Sequence, residues 1–200
     1  TVLIGAGQGL FLALYACELA GFGALPAERL TLGIGAGAAL VFNGLGLVAS
    51  FFHLGHPERA WRAAAMWRSS WLSREVIALP AFMAACAAWG AAHAIGAPGT
   101  RVLGAVAALL CVALFVCTGM VYASIRFLQE WASPLTLVNY LLIGCASGSL
   151  LAAALASLSA PAWVEPLALA ALLLTLAALV GRAAALLRNA QLRPRSTLQT

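Results

Sequence analysis

Residues 53–75 hold two of the chain's three histidines, four of its eleven arginines and two of its six glutamates. The run HLGHPERA occupies 53–60 and SSWLSRE occupies 69–75. An imidazole at His53 can donate a hydrogen bond and change protonation near neutral pH. Arg59 can fix a carbonyl or a carboxylate, and Glu75 can relay protons between a site and the aqueous phase. Together the three suit the head of a quinone, whose ring is apolar, whose two carbonyls need donors and whose redox cycle moves two protons. Competing readings are a hydrogen-bonded interfacial histidine at His53 and, for Arg62, Arg68 and the tail arginines, topology signalling and lipid headgroup contact. A metal site is disfavoured, because His53 and His56 are three apart with no third His, Cys or Asp near them. A two-histidine haem is disfavoured too: His93 lies about 18 residues beyond the start of its span, about 27 Å away in depth, so no haem is expected.

The elements that position these residues must lie in a membrane. Of 200 residues 64% are apolar and 8% charged, with neither Lys nor Asp present, and mean hydropathy is +0.98. A soluble domain carries about a quarter charged residues. At roughly 20 residues per span, the apolar positions fill about six spans. This excludes an independent soluble catalytic domain, a nucleic-acid binder and a disulfide scaffold. Windows place the spans at 2–22, 31–53, 76–96, 102–123, 135–157 and 164–187. The runs are continuous and rich in Ala and Leu, without the alternation of barrel strands, so the fold expected is an all-α integral membrane bundle of about six helices. The whole chain, 1–200, reads as one transmembrane domain. It starts inside an apolar run and ends in a polar stretch, as a trimmed chain would, and no signal peptide is expected at its start.

Six spans sort the arginines. Nine (59, 62, 68, 74, 126, 182, 188, 193 and 195) fall on the face that receives residues 54–75, and only Arg29 and Arg101 on the other. The positive-inside rule then puts 54–75 in the cytoplasm. Trp61, Trp67, Trp71 and Trp131 read as one interfacial belt, with Trp89 and Trp163 as the other. Pro57 predicts a short interfacial helix over 58–71, and Ser73 an N-cap for the third span with Glu75 in its first turn. Gly5-xxx-Gly9, Gly33-xxx-Gly37 and Gly144-xxx-Gly148 predict close helix contacts. The five cysteines read as packing residues. Glu18 reads as snorkelling from near a span end in preference to lying on a proton path. Asn43 and Asn139 with Thr136 predict interhelical hydrogen bonds, and Tyr122 and Arg126 are second-rank candidates for the quinone border. No internal repeat or midplane charge points to a transporter.

The pattern HLGxPxRA followed by SxxLSxE, carried by His53, Arg59, Ser73 and Glu75, resembles the signature of the DMSO reductase membrane anchor family. Residues 122–148, with Arg126, WASPLT at 131–136 and GCASG at 144–148, and the STLQT ending look like the branch serving sulfite dehydrogenases. The resemblance covers most of the chain. It implies an anchor subunit of a three-subunit oxidoreductase in a bacterial inner membrane, serving anaerobic electron transport and not catalytic alone. A partner holds molybdopterin, another carries iron–sulfur clusters, and the haem-free anchor exchanges electrons with ubiquinone or menaquinone. It assigns the quinone site to His53, Arg59 and Glu75, with Ser73 added, and implies eight spans in the complete protein, two of them beyond this sequence. The arginine asymmetry favours partners on the cytoplasmic face and hence the sulfite-oxidising branch. An anchor of the DMSO reductase type that oxidises menaquinol, and a purely structural anchor, remain open alternatives. Neither reading involves nucleic acid.

Overall fold

The computed structural model describes residues 1–52 and 64–192. They form six helices: α1 (Val2–Leu19), α2 (Pro26–Phe51), α3 (Trp71–Ala94), α4 (Thr100–Ala123), α5 (Pro134–Ser159) and α6 (Val164–Ala190), the last entered through a 3₁₀ turn at Pro161–Trp163. Among the described residues there is no strand. Each helix is long and apolar enough to cross a bilayer, where every backbone group must be satisfied within its own segment. The chain is a multi-pass membrane protein of the expected all-α class.

Polar side chains at the helix starts move two boundaries away from the expected positions. α2 begins at Pro26 instead of 31, because Pro tolerates the first helical position and Glu28 turns back onto the backbone, its Oε2 accepting from the N–H groups of Gly23 (3.0 Å) and Leu25 (3.1 Å). α3 begins at Trp71 instead of 76. Its N-cap is Ser70, whose Oγ accepts from the Ser73 N–H at 3.4 Å, so Ser73 is not the cap and Glu75 lies past the first turn. The helix expected over 58–71 is corrected as well: residues 64–66 form a single 3₁₀ turn and 67–69 a turn, while 58–63 lie outside the described residues. Arg74 reaches back across that turn, giving Nε–H to the Trp67 carbonyl at 3.0 Å and Nη2–H to that of Arg68 at 2.9 Å. Its guanidinium lies 4.3 Å from the Trp71 ring centroid. α5 starts one residue before the expected 135, with Pro134 first and Ser133 Oγ accepting from the Leu135 N–H at 3.2 Å.

α1 occupies the centre, packed against α2, α4 and α5. Residues 4 to 11 are buried on every side of the helix, which only a central helix requires. Small residues permit this. A Cβ at Gly9 would collide with the backbone of Gly144 and Cys145, and one at Gly148 with the backbone of Gly9 and Leu10. The expected small-residue pairs of α1 and α5 thus face one another. The pair Gly33-xxx-Gly37 does not: Gly33 lies against Gly90 of α3, but Gly37 faces open space.

Mid-bundle, Phe11 packs edge-on against Phe82 (5.4 Å between centroids) and Trp89 (5.2 Å). With Leu14 and Leu114 these side chains are essentially fully buried and form an apolar plug. Trp89 is therefore a core residue, contrary to the interfacial role expected for it. All five cysteines are free thiols, four buried and Cys145 half-buried, in keeping with packing roles. α6 is the least buried helix. It presents Leu172, Leu176, Leu179 and Val180 outward and is tied to α5 by Asn139 Nδ2, which donates to the Gly181 carbonyl at 3.2 Å. That bond is interhelical as expected. Asn43 instead donates to Ala39 of its own helix at 2.7 Å, and Thr136 to the nearby Trp131 carbonyl at 2.8 Å.

Because the α1–α5 contact is backbone on backbone, Gly148→Leu should destabilise the bundle by about 3 kcal/mol. Gly37→Leu, at an open position, should be nearly neutral. Thermal unfolding of the two variants in one detergent checks this, and equal losses would place the tight contact elsewhere.

Candidate functional site

α3 and α4 run side by side, and where α3 starts and α4 ends they carry the candidate site. Glu75 is half-buried, and its Oε1 accepts from Thr118 Oγ1 of α4 at 2.8 Å. Ser73 is buried. Two residues apart on a helix, Ser73 and Glu75 point to different sides, so the structure does not bring these two together. His53 and Arg59 lie outside the described residues.

One turn outward from Glu75, a hollow of about 690 Å³ is lined by Ser70, Trp71, Leu72, Met120, Val121 and Arg126, among others. Its lining combines the apolar side chains of Trp71, Leu72, Met120 and Val121 with the hydroxyls of Ser69, Ser70 and Ser124 and the side chain of Arg126. Tyr122 faces elsewhere. It packs edge-on against Trp131 (5.6 Å) and borders a second cleft of about 340 Å³ together with Glu130, Asn139, Tyr140, Arg182 and Arg188. Arg188 closes the base of α6 by donating to the carbonyls of Gln129 (3.1 Å) and Ala132 (3.3 Å). The two second-rank candidates, Tyr122 and Arg126, therefore border different openings at the same end of the bundle.

Behind Thr118 lies a polar group that sequence reasoning passed over. Gln8 of α1 is fully buried, and its Nε2 donates to the Cys111 carbonyl of α4 at 3.1 Å. Its Oε1 accepts from the Tyr140 hydroxyl of α5 at 3.2 Å. The available signal was the amide itself, since a glutamine inside a spanning run must find partners.

The opposite end of the bundle holds Glu18, only 4% exposed. It does not snorkel to water as expected. Trp89 Nε1 donates to its Oε2 at 2.8 Å and Thr100 Oγ1 donates to its Oε1. His93 Nε2 lies 3.2 Å from Oε1, at ion-pair distance but without hydrogen-bond alignment. Glu18, His93 and Thr100 border a cavity of about 410 Å³ whose lining includes Arg29 and Arg101. Glu18 and His93 could have been paired from the sequence, since both sit near the same end of their spans; Trp89 was hidden by its assignment to the interface. Among the described residues no group of three His, Cys, Asp or Glu could hold a metal ion.

Six apolar helices with a half-buried carboxylate near one end and a clasped one at the other define a polytopic membrane protein whose reactive groups lie close to its surfaces. The family model for the DMSO reductase anchor subunit (DmsC) matches residues 1–199, and the chain belongs to that family. It is 48% identical over 215 residues to a sulfite dehydrogenase subunit of Allochromatium vinosum. That alignment covers 100% of this chain and 66% of the relative, so the chain spans a little under two thirds of the relative's length. No solved structure matches it.

Removing Glu18 leaves the Trp89 indole and the Thr100 hydroxyl without their buried acceptor and His93 without the carboxylate beside it. Glu18→Ala should cost about 3 kcal/mol, and a Glu18→Ala/His93→Ala double-mutant cycle should give a coupling well away from zero. Detergent unfolding of the four proteins measures it, and additive losses would dissolve the pair.

Proposed function

We propose that this chain is the membrane anchor and quinone-reactive subunit of a molybdopterin/iron–sulfur oxidoreductase of the bacterial inner membrane. It passes electrons between an iron–sulfur partner and the quinone pool. The donor proposed is sulfite, oxidised at the molybdopterin of a catalytic subunit. Both partners dock on the cytoplasmic face, where the arginine-rich end lies by the positive-inside rule. The observation that carries the reading is Glu75: a half-buried carboxylate held by Thr118, one turn behind a hollow with an apolar wall and hydrogen-bond donors.

A quinone fits that setting. Its ring suits the side chains of Trp71, Leu72 and Met120, and its carbonyls suit hydroxyl and guanidinium donors. Quinone supplies the two-electron, two-proton acceptor; this chain orients it, excludes water and holds a proton at the Glu75 carboxylate. Family membership and the likeness to a sulfite dehydrogenase subunit support the partners and the substrate. The resemblance adds His53 and Arg59 as contacts to the quinone head and Ser73 beside them.

The test uses the assembled complex. Glu75→Gln and His53→Ala should each lower quinone-coupled turnover at least about tenfold, while oxidation of the donor by an artificial acceptor persists. Undiminished quinone coupling in both variants would leave the chain a purely structural anchor.

A further inference from the structure

At the end of the bundle away from Glu75, the 410 Å³ cavity has hydrogen-bond donors in surplus. It lies where α1 and α3 end and α2 and α4 begin. Glu18 has little acceptor capacity left for a ligand there, because its Oε2 takes the Trp89 indole N–H and its Oε1 the Thr100 hydroxyl. Arg29 gives Nε–H to the Gly23 carbonyl at 2.9 Å and Nη2–H to that of Ala24 at 3.5 Å, which fixes its guanidinium across the turn between α1 and α2. Its Nη1, which a Cβ at Gly96 would crowd at 3.3 Å, has no hydrogen-bond partner among the described residues and keeps both protons. His93 is the deepest donor. It is buried, and neither ring nitrogen has a hydrogen-bond partner. An imidazole carries at least one N–H, and a buried N–H without an acceptor is costly.

Charge points the same way as hydrogen bonding. Arg29 and Arg101 line the cavity, and among the described residues neither lies at ion-pair distance from a carboxylate. Against the single charge of Glu18 they leave one positive charge over, so the missing ligand is an acceptor carrying one negative charge. A guanidinium fork matches the paired oxygens of a phosphate. The rim of the cavity decides which phosphate. Leu19, Leu25, Leu30, Ile95 and Val102 are next to lining residues in the chain, and all are exposed. They stand at the ends of helices long and apolar enough to cross a bilayer. An ion from solution has no use for such a rim, whereas the acyl chains of a lipid cover it.

We propose that this cavity binds the phosphate of an anionic phospholipid, with a head group of the glycerol type and one net negative charge. Arg29 and Arg101 hold the phosphate oxygens, and His93 supplies the buried donor. The acyl chains lie along the exposed apolar side chains of the rim. A choline head group would bring a cation beside two guanidiniums, so the site prefers a lipid without one. Bound there, the lipid fastens α2 and α4 through their arginines and α3 through His93. The site is separate from the quinone hollow, at the other end of α3 and α4, and stands whether or not that reading holds.

The assembled complex, stripped of lipid in mild detergent, is titrated with short-chain phosphatidylglycerol and with phosphatidylcholine of the same chains, and bound lipids are counted by native mass spectrometry. Phosphatidylglycerol should bind at least about tenfold more tightly than phosphatidylcholine. Arg101→Gln should lower the number of phosphatidylglycerol molecules retained by one and leave the retention of phosphatidylcholine unchanged. His93→Phe, which removes the buried donor, should do the same. If His93→Phe does not assemble, Arg101→Gln, at an exposed position, decides. Equal affinity for the two lipids would overturn the proposal, as would an unchanged phosphatidylglycerol count in Arg101→Gln. Inorganic phosphate in molar excess should leave the lipid in place; its displacement would assign the cavity to a soluble oxyanion and overturn the lipid site.

Discussion

Lipid tails are as apolar as leucine, so burying leucines gives transmembrane helices little reason to associate. Close approach has to supply the attraction instead. Here it comes from the glycine faces of α1 and α5, where the backbones of Gly9, Gly144 and Gly148 meet with no room for a Cβ. Their contact sets α1 in the middle of the bundle, and that central position lets a single helix serve both ends. Near its start Gln8 reaches α4 and α5; near its end Glu18 reaches α3 and α4. A side chain at Gly9 would move both polar groups away from their partners at once.

The two carboxylates, buried Glu18 and half-buried Glu75, receive different treatment from their surroundings. Glu18 takes hydrogen bonds from an indole and a hydroxyl and has an imidazole at ion-pair distance. Its oxygens are largely committed, which suits a clasp joining three helices. Glu75 receives one hydrogen bond among the described residues, leaving most of its lone-pair capacity open. Two chemically similar acids in spans thus meet different surroundings, one held by several donors and the other by a single hydroxyl.

Much of the fold was legible because the bilayer imposes a length and an apolar composition on every span. The six segments followed from those constraints, and the glycine spacing pointed to close contacts for α1 and α5, but not to their packing on each other. Helix starts were less legible, because Glu28 and Ser70 satisfy backbone groups locally and so extend α2 and α3 into stretches that hydropathy assigns to loops. Of the site, Glu75 stood out by type and motif. Its partner Thr118, 43 residues away on α4, did not, nor did the Gln8–Tyr140 bond between α1 and α5, whose residues lie 132 apart; only packing brings either pair together. Trp89 misled for a related reason: an indole near a span end normally sits at the interface, but a buried acid gives its N–H a partner inside.

The apolar plug of Phe11, Leu14, Phe82 and Leu114 carries a consequence for the membrane as an electrical insulator. Gln8 and Glu18 are about 15 Å apart along α1, and the residues packed between them are hydrocarbon and aromatic. A charge crossing a membrane polarised by 100 mV gains or loses about 2.3 kcal/mol, a gradient that any continuous polar thread would discharge. Among the described residues the plug leaves no polar thread along α1 between the two clusters, as an ion-tight bundle in an energised membrane requires.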